Sequence, residues 1–241
     1  MVLLLFTLTI WKVKMKLSNE TQDVLKNFST INQNLVIKAG SNITTMSAMK
    51  NIVAKATVIE DFPKDFAIYD LNEFLAAVSL FEIPVLDFHN DFVVITEQNS
   101  KGKALQYWYS DPSVVTTPTK DITMPSTEVT YTFTNNTLAE VTKAAAVIGA
   151  PDMVLEGMDK GSAIIKVTDK KNATANDYKV HVQIEDQTEN VPYKFWFKVE
   201  NLKIIPGSYS VNVSSKNISH FKNNKIDVEY FIALEPESSY N

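Results

Sequence analysis

Three histidines, His89, His181 and His220, are the chain's candidates for a general base or a metal ligand, and their placement argues against both roles. They stand far apart, form no His-x-x-x-His pair, and His181 falls between Lys179 and Gln183 on the polar side of an alternating stretch. Cysteine is absent, which excludes disulfides, thiolate nucleophiles and cysteine metal sites together. Glu60-Asp61 lies beside Phe62-Pro63 and reads as a charged turn. Asp87, Asp91 and Glu97 are the remaining candidates for a cation, but a divalent site needs several converging oxygens, and scattered surface acids are the simpler reading. Phosphate-cradling glycine loops, nucleophile elbows and calcium loops are all missing. The expectation is a non-enzymatic protein with no cofactor and no metal, acting by binding or by shape.

Charge narrows the binding class. The formal net charge is -5, and every basic residue is lysine. A protein that reads base edges uses a basic surface and bidentate arginine contacts, so sequence-specific DNA recognition is not expected. A protein held on DNA by encirclement needs only a locally positive lining. The 241 residues, 45% of them hydrophobic, suit one or two domains with a substantial core. The apolar run Met1–Ile10 is shorter than the roughly 20 residues of a membrane span, and it lacks the preceding basic region and cleavage site of a signal peptide. Residues 1–14 read as an extension outside the fold, with Met15 opening the folded part. Asn27-Phe28-Ser29, Asn42-Ile43-Thr44 and Asn217-Ile218-Ser219 match a glycosylation triplet, but a chain this rich in Asn, Ser and Thr yields such matches by chance.

The elements that would position any site form a loose repeat of helices and strands. A helix opens near Asn19, with Gln22 three residues on as a capping box, and Val24, Leu25, Phe28 and Ile31 share one face. Strands follow at 35–38, 43–48 and 52–59. Asp70 caps a second helix whose buried stripe is Leu71, Phe74, Leu75 and Val78, and strands at 85–88, 92–97 and 104–109 complete this half. The second half repeats the order with a strand at 129–134 and a helix at 137–148, stopped by Gly149 and Pro151. Alternating strands carry Tyr178 to Ile184 and Tyr193 to Val199, and a short helical turn is expected over 201–205. Strands around Tyr209 and Val228 close the chain. Two helices per half, with connections too short for crossover helices, predict an α+β fold with antiparallel sheets. The expected domains are 15–111 and 127–241, joined by a linker over 112–126.

From Met15 onward the chain resembles the sliding clamps of T-even-type bacteriophages. The resemblance is carried by Met15–Ser18, Leu25–Phe28, Thr30–Asn32, Ala67–Asn72, Asp111–Val115, Pro206–Tyr209 and Ala233–Glu235, all in family order. It implies a homotrimeric ring of two-domain subunits, helices lining the hole and sheets outside. The ring would encircle double-stranded DNA without sequence preference and tether the DNA polymerase. Lys26 and Lys143, on outer helix faces, and Lys16 and Lys203, near helix ends, become candidates to touch phosphates. The second helix, with Asn72, Glu73 and Ala76 outward, departs from a positive lining.

Ring closure in this family implies pairing of strand 104–109 with strand 178–184 of a neighbour. The interface candidates are Leu105, Tyr107, Tyr109, Tyr178, Val180 and Val182, with Trp108 adding aromatic area. The implied partner pocket lies beside the linker and last strand, with Val114, Val115, Ile122, Tyr230, Ile232 and Leu234 as candidates. Strand alternation prevents all of them from facing it together. A clamp loader and a sigma-like late-transcription factor are further implied partners, in the cytoplasm of an infected bacterial host. The alternative reading is a structural virion or surface protein built from β-rich repeats, which leaves the ordered helices unexplained. A hydrolase with an unfamiliar site ranks last.

Overall fold

The fold was analysed in a computed structural model, which describes residues 14–99, 102–157 and 161–241. In chain order the first half comprises β1 (Lys14–Lys16), α1 (Asn19–Ile31), β2 (Leu35–Ile37), β3 (Gly40–Met46) and β4 (Ile52–Phe62), then β5 (Phe66–Ile68), α2 (Leu71–Val78), β6 (Pro84–Phe88), β7 (Phe92–Glu97) and β8 (Ala104–Trp108). The second half comprises β9 (Val129–Phe133), α3 (Asn135–Ile148), β10 (Asp152–Gly157), β11 (Ser162–Thr168) and β12 (Tyr178–Gln187), then β13 (Tyr193–Lys198), β14 (Tyr209–Ser214), β15 (Ile218–Asn223), β16 (Val228–Ala233) and β17 (Ser239–Tyr240). The order is a strand–helix–three-strand unit repeated four times. In the fourth unit the helix shrinks to a 3₁₀ turn, Val199–Asn201.

That shrinkage corrects the expectation of a second helix in the later half, read as a helical turn over 201–205. Leu202 and Ile204 are both buried with Lys203 exposed between them, an alternation that suits extended chain, and Pro206 blocks continuation. Strands β10, β11 and β15 were absent from the sequence reading. The expected capping box on Asn19 does not form: Ser18 is the N-cap, its hydroxyl accepts from the Thr21 N–H, and Gln22 turns to the Leu17 carbonyl instead. The α2 cap is Asp70, as its sequence predicts, accepting from Asn72 and Glu73 N–H. Gly149 ends α3 in the left-handed conformation, φ 65°, which glycine adopts without a Cβ clash.

All strand pairings among the described residues are antiparallel, in agreement with the expected fold class. β1 joins β6, β7 and β8 in a four-stranded sheet, with Lys14 opposite Asp87. An 11-stranded sheet runs β17-β13-β10-β11-β12-β9-β14-β15-β16-β4-β3, crossing from one half into the other where β16 pairs with β4. Residues 1–13 of the expected extension lie outside the described residues.

The helices supply apolar stripes to one core that spans both halves. Val24, Leu25, Phe28 and Ile31 of α1, Leu71, Phe74 and Val78 of α2, and Leu138, Val141 and Ala145 of α3 are buried there, against sheet residues such as Tyr131, Phe133, Phe195 and Phe221. Leu75 and Ile148, expected within the stripes, are half-buried at the margin.

The start of α1 is held by a side chain from the sheet. Glu60 on β4 is 5% exposed, and its carboxylate accepts from the Ser18 N–H at 2.6 Å and from the Thr21 hydroxyl. A carboxylate at a helix N-terminus meets unpaired N–H groups and the positive end of the helix dipole. Glu60→Ala is therefore expected to lower stability by about 2–3 kcal/mol, as a charge-assisted bond is lost and buried donors are orphaned. Urea unfolding of the variant beside the parent measures this.

Candidate functional site

Strand edges come first. β8 is the end strand of its sheet, paired on one side to β7 from Phe92↔Trp108 to Thr96↔Ala104. β12 changes partners along its length: Tyr178–Gln183 pair with β11, and Ile184–Gln187 pair with β9 across a register shift at Glu185. A bulge of this kind bends the strand. Among the described residues, the second edge of Tyr178–Gln183 has no strand partner, and neither has the outer edge of β8.

The side chains on these strands follow their alternation. Leu105, Tyr107, Tyr109, Tyr178 and Val180 are half-buried and packed against the core, and Val182 is 8% exposed. The Tyr107 ring stands edge-on to Phe74 at 5.2 Å, and its hydroxyl donates to the Asp70 carbonyl at 3.3 Å. Burial, then the nearby Glu73 and Asp70 charges, push the Tyr107 phenol up to about 12. Tyr109 packs on Phe66 at 5.0 Å beneath the Lys64 ammonium. Trp108 points the other way, 63% exposed. The aromatic trio therefore does not present one common surface.

The two halves meet in a polar seam at the end of α1. The Tyr230 hydroxyl donates to Asn27 Oδ1 at 2.8 Å and accepts from the Ile205 N–H at 3.2 Å. The Tyr209 hydroxyl donates to the Ile205 carbonyl, Asn51 Nδ2 donates to Asn201 Oδ1 at 3.0 Å, and Lys203 Nζ donates to the Thr30 carbonyl at 2.8 Å. Burial pushes the Tyr209 phenol up to about 12 and holds that of Tyr230 above its ordinary range.

Outside this seam, a groove of about 380 Å³ lies between the linker and the β4–β16 junction. Val53, Ile122, Pro125, Ile218, Phe231 and Ala233 give it an apolar lining, with Lys50 and Lys216 also in its wall. This corrects the sequence expectation by one residue of strand parity. Tyr230 and Ile232 are fully buried and Leu234 is 6% exposed, all three in the core behind the groove. Their odd-numbered neighbours Phe231 and Ala233 face it instead. Of the expected linker residues, Ile122 lines the groove, Val115 is buried in a small cluster with Val36 and Ala67, and Val114 is 57% exposed.

The lysines divide into committed and free. Lys26 pairs with Asp23 at 3.0 Å one helical turn away, and Lys203 is committed to the Thr30 carbonyl. Lys16 and Lys143 are exposed. Across the helices, Glu20, Asp23, Glu73 and Glu140 are exposed beside two lysines, Lys26 and Lys143. The helix faces by themselves thus expose more carboxylates than lysines. Asp87 is 7% exposed, paired with Lys14 at 3.9 Å, and no His/Asp/Glu group among the described residues converges as a metal site would.

Residues 18–115 match the family model described as DNA polymerase processivity factor, and residues 131–236 match that described as gp45 sliding clamp, C terminal. The sliding clamp of Vibrio phage KVP40 is 34% identical over 226 residues, covering 92% of this chain and 99% of that one. The chain belongs to the sliding clamp family. The sliding clamp of Escherichia phage RB69 is 27% identical, with 94% of this chain and all of that one covered. In fold, the chain is similar to PCNA from Thermococcus kodakaraensis, with a TM-score of 0.70 at 12% identity, over 92% of this chain and 99% of that chain. It is likewise similar to the PCNA2–PCNA3 complex from Sulfolobus tokodaii, with a TM-score of 0.67 at 9% identity, over 94% of this chain and all of that one. This clamp is a processivity factor of phage DNA polymerase, and nothing supports the virion-protein alternative.

Sequence reasoning missed Phe231, Ala233, Val53 and Ile218 in the groove. The signal for Phe231 was its place between Tyr230 and Ile232, since adjacent strand residues face opposite ways. Ile232→Ala is expected to cost about 2–5 kcal/mol as a core cavity, while Ile122→Ser on the groove wall costs under about 1 kcal/mol. Paired urea titrations distinguish the two faces.

Proposed function

We propose that three copies of this clamp close edge to edge, β8 of one on the Tyr178–Gln183 stretch of β12 in the next, around duplex DNA. What carries this reading is the pair of open edges: β8 has five residues, the free stretch of β12 has six, and both are antiparallel-sheet edges. Pairing them would satisfy backbone groups that otherwise invite aggregation. It would also cover what Leu105, Tyr107, Tyr178 and Val180 leave exposed, extending each core across the junction. Tyr109 and Val182 would support the joint from within.

The ring acts topologically and without chemistry of its own. Confinement raises the polymerase's effective concentration at the primer end, so modest contact affinity suffices. The groove lined by Phe231, Ile122 and Ile218 receives the partners' apolar segments, with Lys50 and Lys216 favouring acidic company. A clamp loader places the ring on DNA, and a sigma-like late-transcription factor uses the same groove, all in the cytoplasm of an infected bacterium. Lys16 and Lys143, without ion pairs among the described residues, make the phosphate contacts, with Lys26 and Lys203 contributing less because they are already engaged.

Native mass is expected at three times the 27.1 kDa of the chain, and a monomer at working concentration overturns ring closure. With cognate polymerase and loader, the protein should lengthen primer-extension products on circular templates. Linear templates with free ends should lose the effect. Lys143→Ala and Lys16→Ala should each lower the salt dependence of retention on DNA by about one counterion, and Lys26→Ala by less.

A further inference from the structure

Among the described residues, the polar contacts of the linker that walls the groove are few. At its start, the Thr116 N–H donates to Asn34 Oδ1 at 3.0 Å, and near its end the Ser126 and Ser214 hydroxyls lie 2.7 Å apart. Between these points the polar attachment comes from Lys55. Its Nζ donates to the Ile122 carbonyl at 3.1 Å and sits 2.9 Å from Asp121 Oδ1. Lys55 belongs to β4, in the first half, yet its ammonium lies over the Phe231 ring of β16, in the second, at 5.1 Å. Phe231 is held from its own sheet by His220, whose ring stacks on it at 4.6 Å. His220 Nε2 in turn lies 2.8 Å from Glu229 Oε2, and Glu229 Oε1 is 3.9 Å from Lys55.

Lys55 is therefore fixed from three directions: an aromatic face below, a carboxylate beside it, and the linker above. Its side chain is 22% exposed, which fits a charge with partners rather than one reaching into solvent. Asp121 is 88% exposed, so its ion pair is screened, and the bond to the half-buried Ile122 carbonyl is the firmer link. That carbonyl belongs to Ile122, which lines the groove together with Phe231.

We propose that Lys55 is a positioning residue for partner recognition. By holding Ile122 at a set distance from Phe231, it fixes the groove's width before a partner arrives, and so removes the cost of ordering the linker on binding. It acts through the linker and does not touch the partner. The proposal rests on the reading of the groove as the partner site.

Lys55→Met keeps an apolar stem over Phe231 but removes the charge and the donor. Tryptic cleavage after Lys120, within the linker, should speed up by about tenfold, and affinity for the cognate polymerase should fall by about tenfold, the lower end of the worth of one charged hydrogen bond. Lys55→Arg, which keeps charge and donor, should restore both readouts. Native mass should stay that of the parent in both variants. Unchanged cleavage after Lys120 in Lys55→Met overturns the proposal. So does weakened polymerase binding with unchanged cleavage, which would make Lys55 a direct contact. Ile218→Asp tests the groove separately: if polymerase affinity does not respond to it, the groove reading fails, while the cleavage rate of Lys55→Met still decides whether the linker is held as proposed.

Discussion

Every strand in this molecule carries backbone donors and acceptors on two edges, and the architecture follows from where those edges find partners. Pairing of β4 with β16 over five residues, Val228↔Ala56 to Ile232↔Ile52, uses an edge from each half and fuses them into one sheet. The same junction brings Val53 beside Phe231 and so creates the groove floor. β17 pairs with Tyr193 and Lys194 of β13 and covers part of that edge at the far end. β8 and the Tyr178–Gln183 stretch of β12 each keep one edge without a strand partner among the described residues.

Charge plays a smaller part than the DNA-associated role of the family would suggest. The three helices expose more carboxylates than lysines, and Lys26 and Lys203 are engaged within the chain. A binder relying on affinity could not tolerate this, because counterion release supplies most of sequence-independent DNA binding. A ring that depends on topology can. Low attraction also suits sliding, since a tightly held phosphate contact would have to break at each step.

Buried polar groups mark where precision is required. The Tyr230–Asn27 and Asn51–Asn201 contacts link the halves with directional bonds, which fix register in a way that apolar packing alone does not. Glu60 does similar work inside the first half, tying the start of α1 to β4 through Ser18 and Thr21. Lys55 extends the pattern to the surface. Glu60 and Lys55 each supply a hydrogen bond to another element's backbone, whereas the Tyr230–Asn27 and Asn51–Asn201 bonds join side chain to side chain.

Local pattern in the chain was enough to determine the α1, α2 and α3 stripes, the Asp70 cap, the Gly149 stop and most of the strands, because burial on one face writes a period of 3.6 or 2 into the residues themselves. It also determined that strands 104–109 and 178–184 exist. Strands β10, β11 and β15 leave a weaker record in the residues, because Met153, Val154 and Leu155 are all buried, Ala163 to Ile165 is apolar throughout, and polar Ser219 and Asn223 face inward. The missing fourth helix turned on Leu202 and Ile204 both facing inward, which depends on what lies opposite them. Tertiary structure alone decided which face of β16 meets the groove, since Tyr230, Phe231, Ile232 and Ala233 are all apolar and local sequence does not say which side will be covered. It likewise decided which edges stay open and which lysines are already engaged. Those outcomes depend on partners far away in the chain, such as Asn27 with Tyr230 or Lys55 with Ile122, and no local periodicity records them.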